Sequence, residues 1–538
     1  MNVSPDGPAD LDWGAFGPSG PWVLDRAQLV WRSAADGARA SARAAVPGLV
    51  QPRRLPPGRR AAVVLARLAT ATVPWLVRKR RGKVATTSQI SRSLRLAAEA
   101  LGPTFIKLGQ IISSGEGLFP AELVDEFKRC RDRVPPEDFV DVRAIVEADL
   151  GAPIESIFAE FATTPIASAS IAQVHAARLR SGEQVVVKVQ RPAVDRLVNQ
   201  DLRAMAWIAP HLVGRIPVAA LANPPALVEL FADTIVEELD FRVEAANMID
   251  IATMLRGLGQ TGYVVPRPHP ELVTRRVLVM ERLDGFKFDD VAGMRAAGVD
   301  TEGVVRTAMV ALMEGAMIAG IFHGDLHGGN LLVLPDGRTG LLDYGIVGRL
   351  GETRRQAFLR LMVGATTNDL KAQMAALRDL GALPPDTDLR AVIRDLGLDQ
   401  PLVDPTTLTG DEILKEVQRV VKALLGYGAS MPKELMLYVK NMVFLDGAIA
   451  TLAPDLDILA EIANIATTFA TRHGDQIGRD LGFDPRSVEI DLDGVKQGFG
   501  VDPSTTRLTH RDLQARRALI NKRLKGGKET FPPLEPPI

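Results

Sequence analysis

Two short segments in the second half of the chain bring carboxylates, an amide and small residues together at close spacing. The first reads His323-Gly-Asp-Leu-His-Gly-Gly-Asn330, and the second, after a hairpin-like Leu-Pro-Asp-Gly-Arg turn, reads Leu341-Leu-Asp-Tyr-Gly345. Transfer of a phosphoryl group needs one carboxylate beside the acceptor hydroxyl and separate oxygen ligands for magnesium. We predict that Asp325 is the carboxylate facing the acceptor and that Asn330 and Asp343 are the magnesium ligands. Either segment alone is common in surface turns, so the prediction depends on their joint spacing.

A lysine upstream of these segments lies in an apolar run. Residues Gln184–Gln190 are mostly β-branched, which predicts a buried strand that carries Lys188. Because a lysine in an apolar strand needs an anionic partner, we predict that it pairs with the phosphates of a nucleotide. An ordinary edge lysine is the alternative. The expected ion-pair partner of Lys188 is Glu244, in the helix-compatible stretch Glu237–Glu244. The predicted catalytic residues are therefore Asp325, Lys188 and Glu244.

A loop rich in alanine, within Pro165–His175, precedes the lysine strand. Small residues allow the backbone to approach phosphates, but each Cβ removes the freedom to adopt a positive φ, so this loop should be stiffer than a glycine-rich one. A plain β-turn between strands is the alternative interpretation. A second strand is predicted at Arg276–Glu281. The predicted ATP-binding residues are Ala167, Ser168, Ala169, Ser170, Lys188, Met280 and Glu281.

Composition limits the class of protein. The chain has 538 residues, of which 46% are hydrophobic, enough for a two-lobed catalytic domain with an extension. Its 64 basic residues nearly balance 65 acidic residues, so no global field favours nucleic acid as a partner. The single cysteine, Cys130, excludes an internal disulfide and fits a reducing compartment. The N-terminus lacks a basic start followed by an apolar run, so we expect no export signal and a cytoplasmic location.

Periodicity divides the chain into helical and strand-rich parts. Apolar residues recur at helical spacing from Thr87 to about residue 150, strand-like runs follow, and the helical pattern returns after Gly285. Because Asp325, Asn330 and Asp343 also follow the order of the protein-kinase motifs, we predict an α+β, mostly helical, protein-kinase-like fold, in which a small N-lobe sheet is followed by a helical C-lobe. The predicted parts are a loosely ordered leader (1–58), a basic and apolar candidate membrane-surface segment (59–86), a helical extension (87–150), the N-lobe (151–285), the C-lobe (286–475) and a C-terminal extension and tail (476–538).

One N-terminal stretch has features of a membrane-contacting segment. Ala61–Val77 is mostly apolar, but it contains Arg67 and Pro74 and falls short of about 20 uninterrupted apolar residues, so we do not expect it to span a bilayer. Basic residues on both sides suit an interfacial segment on anionic lipid. A surface helix packed on its own domain, with solvated charges at each end, is the alternative.

Taken together, these segments resemble the UbiB/AarF (ADCK-type) family of atypical kinases over about residues 90–460. The resemblance covers the family's K-x-G-Q hallmark, the end of that extension, its alanine-rich loop, its E-x-D element and its C-terminal helical motif. In this chain they read Lys107-Leu-Gly-Gln110, Asp132–Pro136, Ala167–Ser170 with Gln173–His175, Glu238-Leu-Asp240, and Leu445–Gly447 with Leu452–Asp455. Two features depart from the family pattern: Ser113–Pro120 lacks the usual Ser-x-Arg-x-Asp, and Asp-Tyr-Gly replaces Asp-Phe-Gly while retaining the carboxylate.

The resemblance implies a regulatory lid. Lys107 and Gln110 are three residues apart and so share a helix face, which would lie over the nucleotide pocket with Lys107 near Glu238 and Asp240. Such an extension would occupy the groove in which a protein kinase receives its peptide, so protein substrates are disfavoured. A solvated helix lysine is the alternative for Lys107. The family also implies ATP or ADP and Mg²⁺ as the bound cofactors.

The function that the resemblance implies is a magnesium-dependent ATP-binding atypical kinase or ATPase that supports isoprenoid-quinone, or lipid, biosynthesis. The expected partners are a nucleotide, an anionic membrane surface, and quinone-biosynthesis proteins or lipid intermediates. Peripheral membrane attachment would come from the N-terminal segment, because the tail after about Leu508 lacks the apolar membrane helices of some bacterial members.

Other functions stay open. A small-molecule phosphotransferase of the aminoglycoside- or choline-kinase type shares the His-Gly-Asp-Leu-His-x-x-Asn loop, although Lys107 and Gln110 argue against it. A non-catalytic nucleotide-gated lipid-binding scaffold would bind ATP without transfer. A protein kinase is the least favoured function, because the extension would have to move aside.

Overall fold

A computed structural model describes most of the chain, in several stretches of sequence. These are residues 15–17, 20–22, 24–51, 55–82, 86–113, 120–130, 135–212, 224–400, 408–488 and 490–524. Most of the Asp132–Pro136 motif and most of the Ser113–Pro120 segment lie outside the described residues.

Helices make up most of the regular structure among these residues. In the first half they are α1 (Arg32–Val50), α2 (Gly58–Arg80), α3 (Thr87–Leu101), α4 (Pro103–Ser113), α5 (Ala121–Lys128), α6 (Phe139–Leu150), α7 (Ile154–Ile157), α8 (Val194–Leu212), α9 (Pro224–Ile235) and α10 (Phe241–Gly257). In the second half they are α11 (Val291–Ala296), α12 (Thr301–Glu314), α13 (Glu352–Thr366), α14 (Leu370–Leu380), α15 (Leu389–Asp395), α16 (Gly410–Gly426), α17 (Lys433–Leu452), α18 (Ile458–Leu481), α19 (Leu492–Gly498) and α20 (His510–Leu524).

Short strands form three sheets within the described part of the chain. The strands are β1 (Phe158–Phe161), β2 (Ala167–Ser168), β3 (Ala172–Leu179), β4 (Gln184–Gln190), β5 (Tyr263–Val264), β6 (Pro268–Val273), β7 (Val277–Glu281), β8 (Phe286–Lys287), β9 (Ile321–His323), β10 (Leu331–Val333), β11 (Thr339–Leu341) and β12 (Val347–Arg349). One sheet has the order β1-β3-β4-β7-β6 with β2 paired to β3, the second has the order β5-β11-β10-β8, and β12 pairs with β9.

The chain divides into two compact units. Unit 1 comprises Met1–Phe288 and His323–Val347, and unit 2 comprises Asp289–Phe322 and Gly348–Ile538. The first division lies close to the predicted boundary between the lobes, but His323–Val347 groups with unit 1 and not with the helical part around it. The reason is strand pairing, since β10 and β11 add to β8 and β5 of unit 1. All predicted site residues therefore lie in one unit.

Strand β4 is central in the six-stranded sheet of unit 1 and confirms the predicted strand at Gln184–Gln190. It pairs antiparallel with β3 and β7, and both of its faces are buried, which explains the run of β-branched residues. Because side chains alternate along a strand, Val185, Val187 and Val189 enter the hydrophobic core with α6, and Lys188 lies on the opposite face.

The hairpin of β10 and β11 positions two of the predicted ligands. Leu331 pairs with Leu341, and the turn between the strands contains Gly337, whose φ of 86° is in the left-handed region that favours glycine. Asn330 immediately precedes β10, and Asp343 follows two residues after the end of β11. The amide of Leu342 donates to the carbonyl oxygen of Asn330 at 2.9 Å, so both residues lie at one end of the hairpin.

Helix α1 lies in the segment predicted as a loosely ordered leader, within which the sequence allows one helix at Trp22–Ala45. Leu24, Trp31 and Ala35 are buried, and the indole of Trp31 donates to the carbonyl oxygen of His269 at 3.1 Å. The local pattern did not predict this packing, because α1 contains Pro47 and its partners lie more than 200 residues further along the chain.

Helix α2 is longer than the apolar run from which it was predicted. One side packs in unit 1 through buried Ala61, Val64 and Ala71, and Arg60 lies 2.6 Å from the buried carboxylate of Asp201. By length and composition alone, α2 and α17 are the two described helices that could cross a membrane. The apolar window is 17% buried in α2 and 44% buried in α17.

Unit 2 is built almost entirely from helices. Hydrophobic residues of α14 and α15 form one cluster that includes Met374 and Val392. A second cluster joins Leu459 of α18 to Leu508 and Leu513 near the C-terminal end of the described chain. The helical pattern predicted after Gly285 is thus confirmed.

Candidate functional site

Lys188 and Glu244 form a buried ion pair in unit 1. The Nζ atom of Lys188 lies 2.7 Å from Oε1 and 2.9 Å from Oε2 of Glu244, on α10. The same Nζ lies 3.5 Å from Oδ2 of Asp343. The side chain of Lys188 is 10% exposed and that of Glu244 is 4% exposed. One lysine is therefore shared by two carboxylates that come from a helix and from the Asp-Tyr-Gly segment.

Burial and neighbouring charges set the protonation of these three groups. Desolvation opposes the charge on Lys188, but the carboxylates of Asp343 and Glu244 outweigh it and raise the lysine pKa. Desolvation also opposes the charge on Asp343, yet Lys188 and Lys107 hold its pKa at about 2. Desolvation raises the pKa of Glu244 to about 7 against the opposing effect of Lys188. At neutral pH Lys188 and Asp343 are charged, while Glu244 titrates.

His323 holds two of the predicted acidic residues through their backbones. Its Nδ1 accepts the amide hydrogen of Asp325 at 3.2 Å, and its Nε2 contacts the carbonyl oxygen of Asp343. Burial lowers the pKa of His323, so the ring is neutral at pH 7, and these partners assign the proton to Nε2. Sequence reasoning gave this histidine no role of its own, although its place two residues before Asp325 was a usable signal.

Asn330 and Asp325 are joined within the loop that carries them. The Nδ2 atom of Asn330 donates to the carbonyl oxygen of Asp325 at 3.2 Å. Because the amide nitrogen holds the loop, the amide oxygen is the Asn330 atom that can bind a cation. The Oδ1 atom of Asp343 accepts the amide hydrogen of Gly345 at 2.9 Å. A Cβ on Gly345 would lie 3.2 Å from both this oxygen and Cγ of Glu238, so glycine permits their close approach.

Helix α4 brings Lys107 to the same group of carboxylates. Its Nζ lies 3.0 Å from Oε1 of Glu238 and 3.9 Å from Oδ2 of Asp325, and the lysine side chain is 12% exposed. Desolvation opposes its charge, but Glu238 and Asp325 raise its pKa. The solvated-lysine alternative is therefore wrong for Lys107. Gln110 lies one turn further along α4 and is half-buried.

The glycine of the K-x-G-Q segment has a packing role. A Cβ on Gly109 would lie 2.5 Å from a ring carbon of Phe127 on α5. Glycine therefore lets α4 and α5 approach closely, which determines where the helix carrying Lys107 lies.

Asp240 has a partner other than the expected one. Its carboxylate caps α10 by accepting the amide hydrogen of Arg242 at 3.1 Å, and it also contacts the guanidinium of Arg242 at 2.6 Å. The carboxylates that raise the pKa of Lys107 are those of Glu238, Asp325 and Asp343. Within the E-x-D element, Glu238 thus pairs with Lys107, and Asp240 caps the N-terminus of α10, the helix that carries Glu244.

The alanine-rich loop is a tight hairpin turn. Ala167 pairs with Val174 in the β2–β3 ladder, and the amide of Ala169 donates to the carbonyl oxygen of Ala172 at 2.8 Å. Ala167 and Ala169 are exposed, Ser168 is half-buried and Ser170 is buried. The small-residue loop and the β-turn are therefore the same structural feature.

Arg191 is a residue that sequence reasoning did not single out. Its Nε donates to the carbonyl oxygen of Ala169 at 3.0 Å, and its Nη2 donates to Oγ of Ser168 at 2.9 Å. Its guanidinium also lies 2.5 Å from the carboxylate of Glu137 and donates to the carbonyl oxygen of Pro135. The arginine ties the alanine-rich turn to the segment before α6. Its only sequence signal was a second cation three residues after Lys188.

Met280 and Glu281 lie at the end of β7, and Met280 is buried. They pair with Val186 and Val185 of β4, whereas Lys188 pairs with Leu278. The amide of Glu281 donates to the carbonyl oxygen of Arg267 at 2.8 Å. These two residues are thus placed on the strand beside that of Lys188, and their contact with a nucleotide stays a prediction.

The charges and donors of the site fit a divalent hard cation. Two lysines, Lys107 and Lys188, face the carboxylates of Glu238, Glu244, Asp325 and Asp343. The lowered pKa of Asp343 keeps that carboxylate ionised and able to bind a cation. Within the described ranges, no group of three or more His, Cys, Asp or Glu side chains could hold a metal ion by itself. Mg²⁺ commonly takes one or two carboxylates and completes its ligands with phosphates and water, which matches Asp343 with Asn330.

Comparison with known proteins gives consistent results. The model of the ABC1 atypical kinase-like domain matches residues 129–377. An uncharacterized, chloroplastic aarF domain-containing protein kinase of Arabidopsis thaliana is 35% identical over 393 residues, which cover 68% of this chain and 73% of the relative. A probable protein kinase UbiB of Aeromonas hydrophila is 31% identical over 406 residues, which cover 73% of this chain and 71% of the relative.

A solved structure also matches, more remotely. The complex of Rv3197 with erythromycin from Mycobacterium tuberculosis is 22% identical and has a TM-score of 0.36, covering 64% of this chain and 91% of that chain. On the strength of the sequence relatives, the chain belongs to the ABC1 atypical kinase-like family, together with the UbiB and aarF domain-containing kinases.

Proposed function

We propose that the protein is a magnesium-dependent ATP-binding atypical kinase or ATPase of the UbiB type that supports isoprenoid-quinone, or lipid, biosynthesis. The observation that carries the proposal is the contact of Lys188 with Glu244 at 2.7 Å and its approach to Asp343 at 3.5 Å. A strand, a helix and a hairpin supply these three groups, which is the arrangement that phosphate binding and metal binding require together. The quinone role rests on the relatives that bear the UbiB name.

In this proposal each side chain has a separate task. Lys188 binds the α- and β-phosphates, and Glu244 holds its Nζ in position. Asp343 and Asn330 would hold Mg²⁺, which, when bound, neutralises charge on the phosphates. Asp325 orients the attacking hydroxyl or water and accepts its proton. The neutral ring of His323 keeps the backbones of Asp325 and Asp343 at a fixed separation.

The position of Lys107 supports a lid and limits the class of acceptor. A cation 3.9 Å from the carboxylate of Asp325 competes with an acceptor for that carboxylate. The proposal therefore favours hydrolysis of ATP, or transfer to a small lipid-like acceptor, over transfer to a peptide. The same contact favours a second candidate function, a non-catalytic nucleotide-gated lipid-binding scaffold. The position of Lys107 argues against the remaining alternative, a small-molecule phosphotransferase.

Helix α2 supports contact with an anionic membrane surface. The helix carries apolar side chains that are 38–49% exposed: Val63, Leu65, Val73, Leu76 and Val77. Its last turn adds Arg78, Lys79 and Arg80. An exposed apolar face that ends in cations suits the boundary between acyl chains and anionic headgroups. We propose that the protein attaches peripherally to such a surface through α2.

The test of the proposed function is magnesium-dependent phosphate release by the full chain, with and without anionic liposomes. Asp325→Asn is the matched control, because it retains the shape of the side chain and removes the carboxylate. Release that rises with anionic liposomes and is lost in Asp325→Asn supports a membrane-coupled ATPase. ATP binding without release above that of Asp325→Asn would favour the scaffold. Release that neutral and anionic liposomes stimulate equally would argue against a role for the cations of α2.

A further inference from the structure

The N-terminal helix α1 contacts the site indirectly, through a buried asparagine. We propose that α1 positions the Asp-Tyr-Gly segment, with Arg39 acting through Asn247 on the backbone of Tyr344. Arg39 is a positioning residue in this inference, because it touches neither the predicted phosphate-binding lysine nor the predicted metal ligands. The structural coupling stands on contacts within unit 1, whereas its effect on nucleotide affinity rests on the proposed function.

Three hydrogen bonds form the link. The Nη2 atom of Arg39 donates to Oδ1 of Asn247 at 2.9 Å, and Nδ2 of Asn247 donates to the carbonyl oxygen of Tyr344 at 2.8 Å. The amide of Tyr344 in turn donates to Oε1 of Glu244 at 3.3 Å. Two residues of α10 therefore hold the backbone of Tyr344: Glu244 accepts its N–H, and Asn247 donates to its C=O. Arg39 contacts the second of them, Asn247.

Arg39 determines which way the Asn247 amide points. A guanidinium can only donate, so it selects the amide oxygen and leaves the NH₂ group directed to the carbonyl of Tyr344. Without the arginine, the two ends of the amide could exchange, and an oxygen facing the carbonyl would repel it. Because Asn247 is only 3% exposed, little water is available to replace a lost partner.

Several other contacts keep α1 in place along α10. Arg32 lies 2.7 Å from the carboxylate of Asp250 and donates to the carbonyl oxygen of Ala246 at 3.0 Å. Arg43 lies 3.2 Å from Glu237, just before α10. Loss of Arg39 alone should therefore leave α1 attached while removing the hydrogen bond that Arg39 donates to the Asn247 amide oxygen.

The consequence concerns Asp343, the residue before Tyr344. Its Oδ2 lies 3.5 Å from Nζ of Lys188, so a shift of the Tyr344 backbone changes the distance between the predicted metal ligand and the lysine. A displacement of about 1 Å in such a site is enough to weaken binding and chemistry. Helix α1 thereby acts on the site from a part of the chain that contributes no side chain to it.

Hydrogen exchange of the full chain, followed by mass spectrometry without nucleotide, tests the coupling. Arg39→Met should accelerate exchange in peptides covering residues 341–347 by about tenfold, as expected for loss of a hydrogen bond to a charged group. Arg43→Met is the matched control, because Arg43 is 63% exposed and pairs outside this link, and it should leave these peptides unchanged.

Asn247→Asp tests the same link in a second variant, so the test still works if Arg39→Met does not fold. The new carboxylate can still accept from Arg39 but cannot donate to Tyr344, so residues 341–347 should again exchange faster while α1 stays protected. Unchanged exchange at 341–347 in Asn247→Asp, or equal acceleration in Arg39→Met and Arg43→Met, would overturn the inference.

Titration with Mg-ATP separates this inference from the proposed function. If the wild-type chain binds Mg-ATP, Arg39→Met should raise the Kd for Mg-ATP by about three- to tenfold, because its nucleotide site is weakened and not lost. Arg43→Met should leave this Kd unchanged. If the wild-type chain does not bind Mg-ATP, the proposed function fails, while the exchange experiment still decides whether α1 positions the segment. An unchanged Kd in Arg39→Met, with wild-type binding intact, would contradict the effect on the site.

Discussion

The Nζ atom of Lys107, on α4, lies 3.0 Å from Oε1 of Glu238, and both side chains are at most 12% exposed. Desolvation raises the pKa of Glu238, and the ion pair with Lys107 opposes that shift. A buried charge that loses its partner is costly, whereas neutral replacement of both partners costs much less. This pair therefore links the K-x-G-Q segment to the site more firmly than exposed lysines could.

Removal of one partner of the Lys107–Glu238 pair should lower the free energy of unfolding more than removal of both partners. Lys107→Met should lower the free energy of unfolding by about 3–5 kcal/mol, because it leaves Glu238 and Asp325 without their nearby cation. The double variant Lys107→Met/Glu238→Gln should recover part of that loss, with a coupling energy above about 1 kcal/mol. Chemical unfolding of the two single variants and the double variant measures this coupling. Additive effects would show that the ion pair contributes little.

The pH dependence of stability should carry the signature of Glu244. Desolvation raises its folded-state pKa to about 7 from the ordinary 4.5, so the folded state holds this proton more tightly than the unfolded state. The resulting stabilisation is fully present below about pH 4.5 and is lost as the pH rises through 7. Unfolding measured from pH 4.5 to 8 should therefore lose stability more steeply in the wild type than in Glu244→Gln. Parallel profiles for the two proteins would contradict the shifted pKa.

Replacement of Tyr344 by phenylalanine should stabilise the protein. The ring of Tyr344 is fully buried, and its hydroxyl has no hydrogen-bond partner among the described residues. Because an unsatisfied buried hydroxyl costs about 1–3 kcal/mol, Tyr344→Phe should raise the unfolding free energy by about 1 kcal/mol. Tyr427→Phe is a contrasting control that should lower it, since that hydroxyl donates to Asp395 at 2.5 Å. A loss of stability in Tyr344→Phe would mean that its hydroxyl has a partner in solution.

A side chain at Gly109 should disrupt the K-x-G-Q segment. Its Cβ would lie 2.5 Å from the ring of Phe127, so Gly109→Ala should cost about 1–3 kcal/mol through overpacking. Gly37→Ala, within α1, is the matched control, because no atom lies within 4 Å of its added Cβ. That control should be neutral or stabilising by up to about 1 kcal/mol, as alanine favours helix. Thermal unfolding compares the two, and equal effects would refute the close helix approach.

The parts of the fold that could be predicted are those that local pattern determines. The strand Gln184–Gln190 follows from its β-branched run, and the turn after Asn330 follows from its Asp-Gly sequence. Glu244 could be predicted as the ion-pair partner of Lys188, because a lysine in a buried strand needs an acidic partner and a helix-compatible stretch with acids follows. The structure shows Lys188 and Glu244 in contact. The nucleotide and metal roles of these residues stay predictions.

The rest depends on partners that are distant along the chain. Nothing near Arg191 in sequence indicates that it binds the turn at Ala169, and nothing near Arg39 indicates Asn247, which is 208 residues away. Asp240 has a local role, because its carboxylate caps the start of α10, and its predicted place in the lid near Lys107 stays a prediction. Contacts between residues that are far apart in the chain leave no motif in the sequence.

Calorimetric titration of the full chain with ATP, in the presence and absence of Mg²⁺, tests whether Lys188 and Asp343 form a nucleotide site. The wild type should bind ATP with an affinity that increases with Mg²⁺. Lys188→Met should lose at least about tenfold in affinity, which is equivalent to about 1.4 kcal/mol. Asp343→Asn should lose the magnesium dependence while its fold, measured by circular dichroism, is retained. Equal, magnesium-independent binding by all three folded proteins would contradict a nucleotide site at Lys188 and Asp343.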